Sequence, residues 1–117
     1  MTLAHLRVDA LYPHEKVDPE TLERTIDAIR KGELLDANPI LIDRMTNVIL
    51  DGHHRHEACK RLGIEMIPCL LVDYEFEVEL ESRRPELRVT KDEVIRRALA
   101  GDLFPPKSTR HTFSYLQ

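Results

Sequence analysis

Apolar residues recur along this chain in two periods, and the changes between them mark out a series of short elements. Leu22, Ile26 and Ile29 fall at helical spacing behind Asp18, a candidate N-cap. Pro19 at the first helical position and Glu20 in the first turn support a helix start, and Gly32 stops it. Pro39 introduces the strand Ile40-Leu41-Ile42, and Thr46-Asn47 reads as a turn into a second strand, Val48–Leu50. A second helix covers about His54 to Leu62, with Ala58 and Leu62 inward and Gly63 as its stop. Met66 to Val72 is an apolar strand, placed at a sheet edge by Pro68, which has no N–H for a ladder. The polar stretch Tyr74–Arg88, with Phe76, Val78 and Leu80 alternating, predicts another strand and a loop at Pro85. Thr90 and Glu93 stand at capping-box spacing ahead of a third helix with Val94, Ile95, Ala98 and Leu99 inward, closed by Gly101. Leu6–Asp9 reads as a short leading strand, and residues 103–113 as a stiff turn followed by a short strand. The expected fold class is α+β, a small mixed sheet flanked by about three helices. A chain of 117 residues fits one domain, residues 1–117.

Composition changes this picture little. Hydrophobic residues make up 42% and aromatics only 5%, with no tryptophan, so the core is expected to be aliphatic. A net charge of −4 gives no global attraction to nucleic acid and argues against autonomous DNA binding, although positive residues gather at 53–61 and 107–111. Cys59 and Cys69 lack CxxC or zinc-finger spacing and read as buried thiols in a reducing compartment. No apolar run has signal-peptide or membrane-spanning character, so a cytoplasmic protein without membrane contact is expected.

The candidate chemistry is concentrated at Asp51-Gly52-His53-His54-Arg55. Here a strand runs through a glycine turn into a helix, where free N–H groups and the positive end of the helix dipole suit an anion. Arg55 adds a planar fork of donors and Asp51 a carboxylate. The competing reading is a structural corner, with Asp51 capping the helix and the histidines on the surface. Metal bound through histidine does not fit, because His53 and His54 are neighbours and diverge and no HExxH pair occurs. Magnesium held by carboxylate and nucleotide remains compatible. Lys107, Ser108, Thr109, Arg110 and His111 follow two prolines and combine cations, hydroxyls and backbone amides, a candidate phosphate clamp or a polar tail. Glu15, in Pro13-His14-Glu15, looks in isolation like any loop acid.

Asp51–Arg55, together with Glu57-Ala58 and Lys60-Arg61-Leu62-Gly63, resembles the ParB/sulfiredoxin-like superfamily. Pro13-His14-Glu15 and residues 105–111 extend the likeness to the archaeal ADP-dependent free serine kinases. The resemblance implies phosphoryl transfer from ADP or ATP, with magnesium, to the hydroxyl of free L-serine, giving O-phosphoserine. It would make Glu15 the general base, with Asp51 orienting the hydroxyl or helping to hold magnesium. Gly52, His53, His54 and Arg55 would bind phosphate, with Lys107, Ser108, Thr109, Arg110 and His111 closing over it. The chain is shorter than those kinases, whose extra lobe before the C-terminal motif it lacks, which leaves room for another acceptor or a completing partner. Sulfiredoxin carries a reactive cysteine where His53 stands, so its reductase chemistry is excluded. The alternative is a non-catalytic ParB-like module that senses nucleotide, in a DNA-associated or multi-subunit complex. The sequence leaves oligomeric state open.

Overall fold

A computed structural model describes residues 1–33 and 39–113. Four strands, β1 (Thr2–Arg7), β2 (Ile40–Asp43), β3 (Ile49–Asp51) and β4 (Met66–Val72), form one sheet in the order β1-β4-β2-β3. β4 runs antiparallel to β1 and parallel to β2, while β2 and β3 are antiparallel, so the sheet is mixed. Two further strands, β5 (Val78–Ser82) and β6 (Thr109–Phe113), make a separate antiparallel ribbon. The helices are α1 (Pro19–Arg30), α2 (His53–Arg61), the single turn α3 (Tyr74–Glu77) and α4 (Lys91–Ala100). The fold is α+β. Among the described residues no helix is long and apolar enough to cross a membrane.

The all-apolar strands are explained by burial on both sheet faces. On one face Ile40, Ile42 and Ile49 pack with Leu22 and Ile29 of α1 and Ala58 and Cys59 of α2. On the other, Leu41 and Leu50 pack with Val94 and Ala98 of α4, Tyr74 and Phe104. Successive residues of β2 therefore serve different cores. Local signals act as expected at the helix ends: the Asp18 side chain accepts from Thr21 N–H, Thr90 from Glu93 N–H, and Gly101 closes α4 at φ 72°.

Four expectations are corrected. β4 is a central strand, not an edge. Its pairing with β2 begins at Cys69, one residue beyond Pro68, so at the proline β4 has a register partner only on the β1 side. The leading strand ends at Arg7, and residues 8–10 form a 3-10 turn. Tyr74–Glu77 is helical, not extended, because Asp73 caps it by accepting from Glu75 N–H and Lys91 Nζ donates to the carbonyls of Tyr74, Glu75 and Val78. Leu99 is 53% exposed, one step too far around α4 to reach the core.

Residues 12–16 have no regular structure of their own but are stitched on both sides. Tyr12 exchanges backbone hydrogen bonds with Asn47 and Ile49, while His14 and Lys16 bond Phe104 through its N–H and carbonyl. Phe104 is held in turn by Arg97, stacked 3.9 Å over its ring and donating to the carbonyls of Asp102 and Leu103. This frame fixes Glu15.

Candidate active site

Glu15 is 8% exposed, an uncommon position for a carboxylate without an ion pair. Its charge is met by hydrogen bonds instead. Oε1 accepts from the N–H groups of Ser108 and Thr109 and from the Thr109 hydroxyl, at 3.1, 3.0 and 3.0 Å. Among the described residues Oε2 accepts only the Lys107 N–H, at 3.2 Å, which leaves it lone-pair capacity. Three successive amides converge because Lys107 adopts the left-handed conformation, φ 57°. Such a nest of N–H groups is an anion site, and here the anion is the protein's own.

Glu15 lines a cleft of about 560 Å³ whose far side is the start of α2. Gly52 is the N-cap at φ 110°, with no side-chain cap and no acidic residue in the first turn, so the amides of residues 53–55 stay available. A Cβ at Gly52 would lie 2.9 Å from Ile40 Cγ1 and 3.1 Å from Arg55 Nη2. Arg55 lines the cleft, and its Nη1 is buried without a hydrogen-bond partner among the described residues. Burial lowers its pKa, with Asp51 acting in the opposite direction. The Asp51 side chain makes no hydrogen bond or ion pair among the described residues, and neither do those of Lys107 and Arg83, which complete the cationic lining. A cleft with three unpaired cations, a bare helix start and two carboxylates suits a phosphorylated ligand whose reacting group needs a base.

The structure redistributes the expected roles. His53 and His54 each accept a backbone N–H at Nε2, from His14 at 3.1 Å and Asp18 at 2.9 Å, so both rings are neutral with the proton on Nδ1. Burial pushes both pKa values down, His53 well below the usual range. Their side chains tie residues 14–18 to α2, and each residue keeps its backbone N–H and its ring Nδ1–H as donors. Ser108 is fully buried and its hydroxyl donates to the Pro105 carbonyl, which removes it from the cleft. Arg110 is exposed on β6 opposite Glu81, and His111 turns inward, its Nε2 2.8 Å from the Tyr74 hydroxyl. Burial, with His14 and the Lys91 cation, lowers His111 to about 3. Of the 107–111 segment, only Lys107 and Thr109 line the cleft. Sequence reasoning missed Arg83 and, on α1, Thr21 and Thr25 as lining residues, whose hydroxyls donate to Asp18 Oδ2 and the Thr21 carbonyl. The two threonines, four residues apart on one helix face, were a legible signal. Arg83 was not, since β5 brings it in from the second sheet, where its N–H donates to the Ser108 carbonyl.

No family model matches the sequence. A relative from Sulfolobus acidocaldarius described as a ParB-like protein is 37% identical over 86 residues, 74% of this chain and 42% of the relative. An ATP-dependent L-serine kinase from Staphylothermus marinus is 35% identical over 71 residues, 57% of this chain and 28% of the kinase. A solved free serine kinase variant in complex with ADP matches with a TM-score of 0.84 at 15% identity, covering 98% of this chain and 89% of that one. The chain resembles a ParB-like protein in sequence, and its fold is that of the ParB/sulfiredoxin-like superfamily. Within it, the fold is the form found in the free serine kinase structures. The chain spans less than half the length of the two curated relatives it matches here.

Proposed function

We propose that this chain is a small-molecule kinase that moves a phosphoryl group from ADP or ATP to the hydroxyl of free L-serine, giving O-phosphoserine. The observation that carries this reading is Glu15, a buried carboxylate held by amides on one oxygen and nearly free on the other, facing a cleft of unpaired cations. The relatives named as L-serine kinases and the ADP-bound kinase of the same fold support it.

Phosphoryl transfer needs position and charge neutralisation more than covalent chemistry from the protein. The amides of residues 53–55, Arg55 and Lys107 hold the donor phosphates. As the serine oxygen closes on phosphorus, its proton passes to Glu15 Oε2, and the bond from phosphorus to the bridging oxygen of the nucleotide breaks. Arg55 and the α2 amides then hold the negative charge that gathers on the departing phosphate. Asp51 orients the hydroxyl. Among the described residues no group of three His, Cys, Asp or Glu is placed to hold a metal, so magnesium would be held by the donor phosphates with Asp51, neutralising their charge. Two buried free cysteines support a cytoplasmic setting.

The ParB-like relative favours a second reading, a nucleotide-sensing module without catalysis. Phosphoserine formation from L-serine with magnesium and ADP or ATP, in wild type and Glu15→Gln, decides between them. Turnover is expected to fall by roughly 100-fold or more in the variant, with nucleotide affinity kept. Full turnover in the variant overturns the assignment of the base, and nucleotide binding without turnover in wild type leaves the sensing module.

A further inference from the structure

His14 lies directly behind Glu15 and is fully buried, packed against the rings of His53 and His111 at 4.4 and 5.1 Å. Its Nδ1 is 2.7 Å from the Ile49 carbonyl, which can only accept, so Nδ1 carries a proton. Burial favours the neutral ring, against the attraction of Glu15 and Asp51. The groups facing it are Glu15, Asp51 and the neutral rings of His53 and His111. Nε2 of a neutral ring is then a bare acceptor, and its neighbour at 2.8 Å is the Thr109 hydroxyl. That same hydroxyl is 3.0 Å from Glu15 Oε1. One hydroxyl proton faces two acceptors.

We propose that Thr109 is a hydroxyl switch between the base and His14, donating to Glu15 while it is a carboxylate and to His14 Nε2 once Glu15 has taken a proton. The balance is simple. The acceptor O–H bond breaks as the Oε2–H bond forms, Oε1 becomes the carbonyl oxygen of a neutral acid, and the Thr109 O–H rotates towards Nε2. No proton moves onto His14. The purpose lies in the amide nest: donors to a carboxylate favour the anion and so resist the uptake a general base must perform. A hydroxyl that finds a second acceptor when the charge disappears offsets part of that resistance. His14 is thus a positioning residue that acts on Glu15 through Thr109.

The inference needs Glu15 as the base only for its kinetic consequence, and the test keeps the two apart. The Glu15 side-chain carboxyl, assigned by its loss in Glu15→Gln, is followed by carbon-13 NMR across pH in the nucleotide-free protein. In His14→Asn, which keeps an N–H donor but loses Nε2, the midpoint is expected to fall by about 0.7 pH units, the equivalent of one neutral hydrogen bond. In Thr109→Val it is expected to rise, because a charge-assisted bond to the anion is lost, and in Thr109→Ser to return to the wild-type value. Equal or same-direction movement in the His14 and Thr109→Val variants overturns the switch. Should His14→Asn not fold, the nitrogen-15 signal of His14 Nε2 decides: it must move with the Glu15 midpoint in wild type and lie flat in Thr109→Val. An Nε2 signal indifferent to Glu15 overturns the proposal. If these shifts hold while no phosphoserine forms, the kinase reading fails and the switch stands.

Discussion

The turn at residues 51–55 and the loop at 105–111 are made of the same materials: free backbone amides, a left-handed residue, cations and hydrogen-bonding side chains. The first leaves its amides and Arg55 unpartnered toward the cleft. The second spends three amides and a hydroxyl on Glu15, buries Ser108 and turns His111 away. One leaves donors open toward the cleft, while the other holds an internal carboxylate in place. The difference teaches that anion-binding chemistry in a sequence does not say whose anion is bound.

Gly52→Val is the most drastic way to break the comparison. It forces a β-branched residue to φ 110° with its Cβ against Ile40 and Arg55. A loss of about 3 kcal/mol of stability, read from denaturant unfolding, is expected along with loss of nucleotide binding. Unchanged binding would mean that the start of α2 is not the phosphate site. Next in size is a matched pair. Arg55→Ala should weaken nucleotide about 10- to 100-fold by titration calorimetry, the worth of a charge-assisted bond. Arg110→Ala should leave the affinity within about twofold, since that side chain lies outside the cleft lining. Equal losses would restore the loop as a phosphate clamp.

The smallest effect concerns pH. His111 is neutral in the fold, with its pKa lowered from 6.5 to about 3. Below about 6.5 the unfolded chain takes up a proton that the fold refuses, so the stabilising contribution is full above that value and is lost as pH falls toward 3. Each histidine of this kind contributes a slope of about 1.4 kcal/mol per pH unit. Unfolding midpoints between pH 7 and 5 should fall, and in His111→Gln fall less steeply, with or without nucleotide. A slope that nucleotide abolishes would place His111 at the ligand after all.

Helix ends were legible because their causes are local: Asp18 with Thr21, Thr90 with Glu93, and Gly52 and Gly101 at positive φ. The strands were legible from apolar runs, but their order was not. Pro68 lies in a central strand, one residue before the pairing with β2 begins, which no window around the proline reveals. The candidate site divides the same way. Gly52, Arg55 and Glu15 could be nominated from motifs, whereas the neutral tautomers of His53 and His54 depend on amides 39 and 36 residues away. Resemblance named a common phosphate role for residues of which the fold places some in the cleft lining, ties His53 and His54 to the 14–18 loop and buries Ser108.

The distance along the chain between Glu15 and its nest has a consequence for time. Ser108 and Thr109 stand 93 and 94 residues after the carboxylate they hold, so Glu15 has no place to sit until that much more of the chain has been synthesised. The start of α2, by contrast, is built from neighbours and needs no distant partner to point its amides outward. A growing chain on the ribosome therefore shapes the start of α2 long before it can seat Glu15, whose nest waits for residues 107–109.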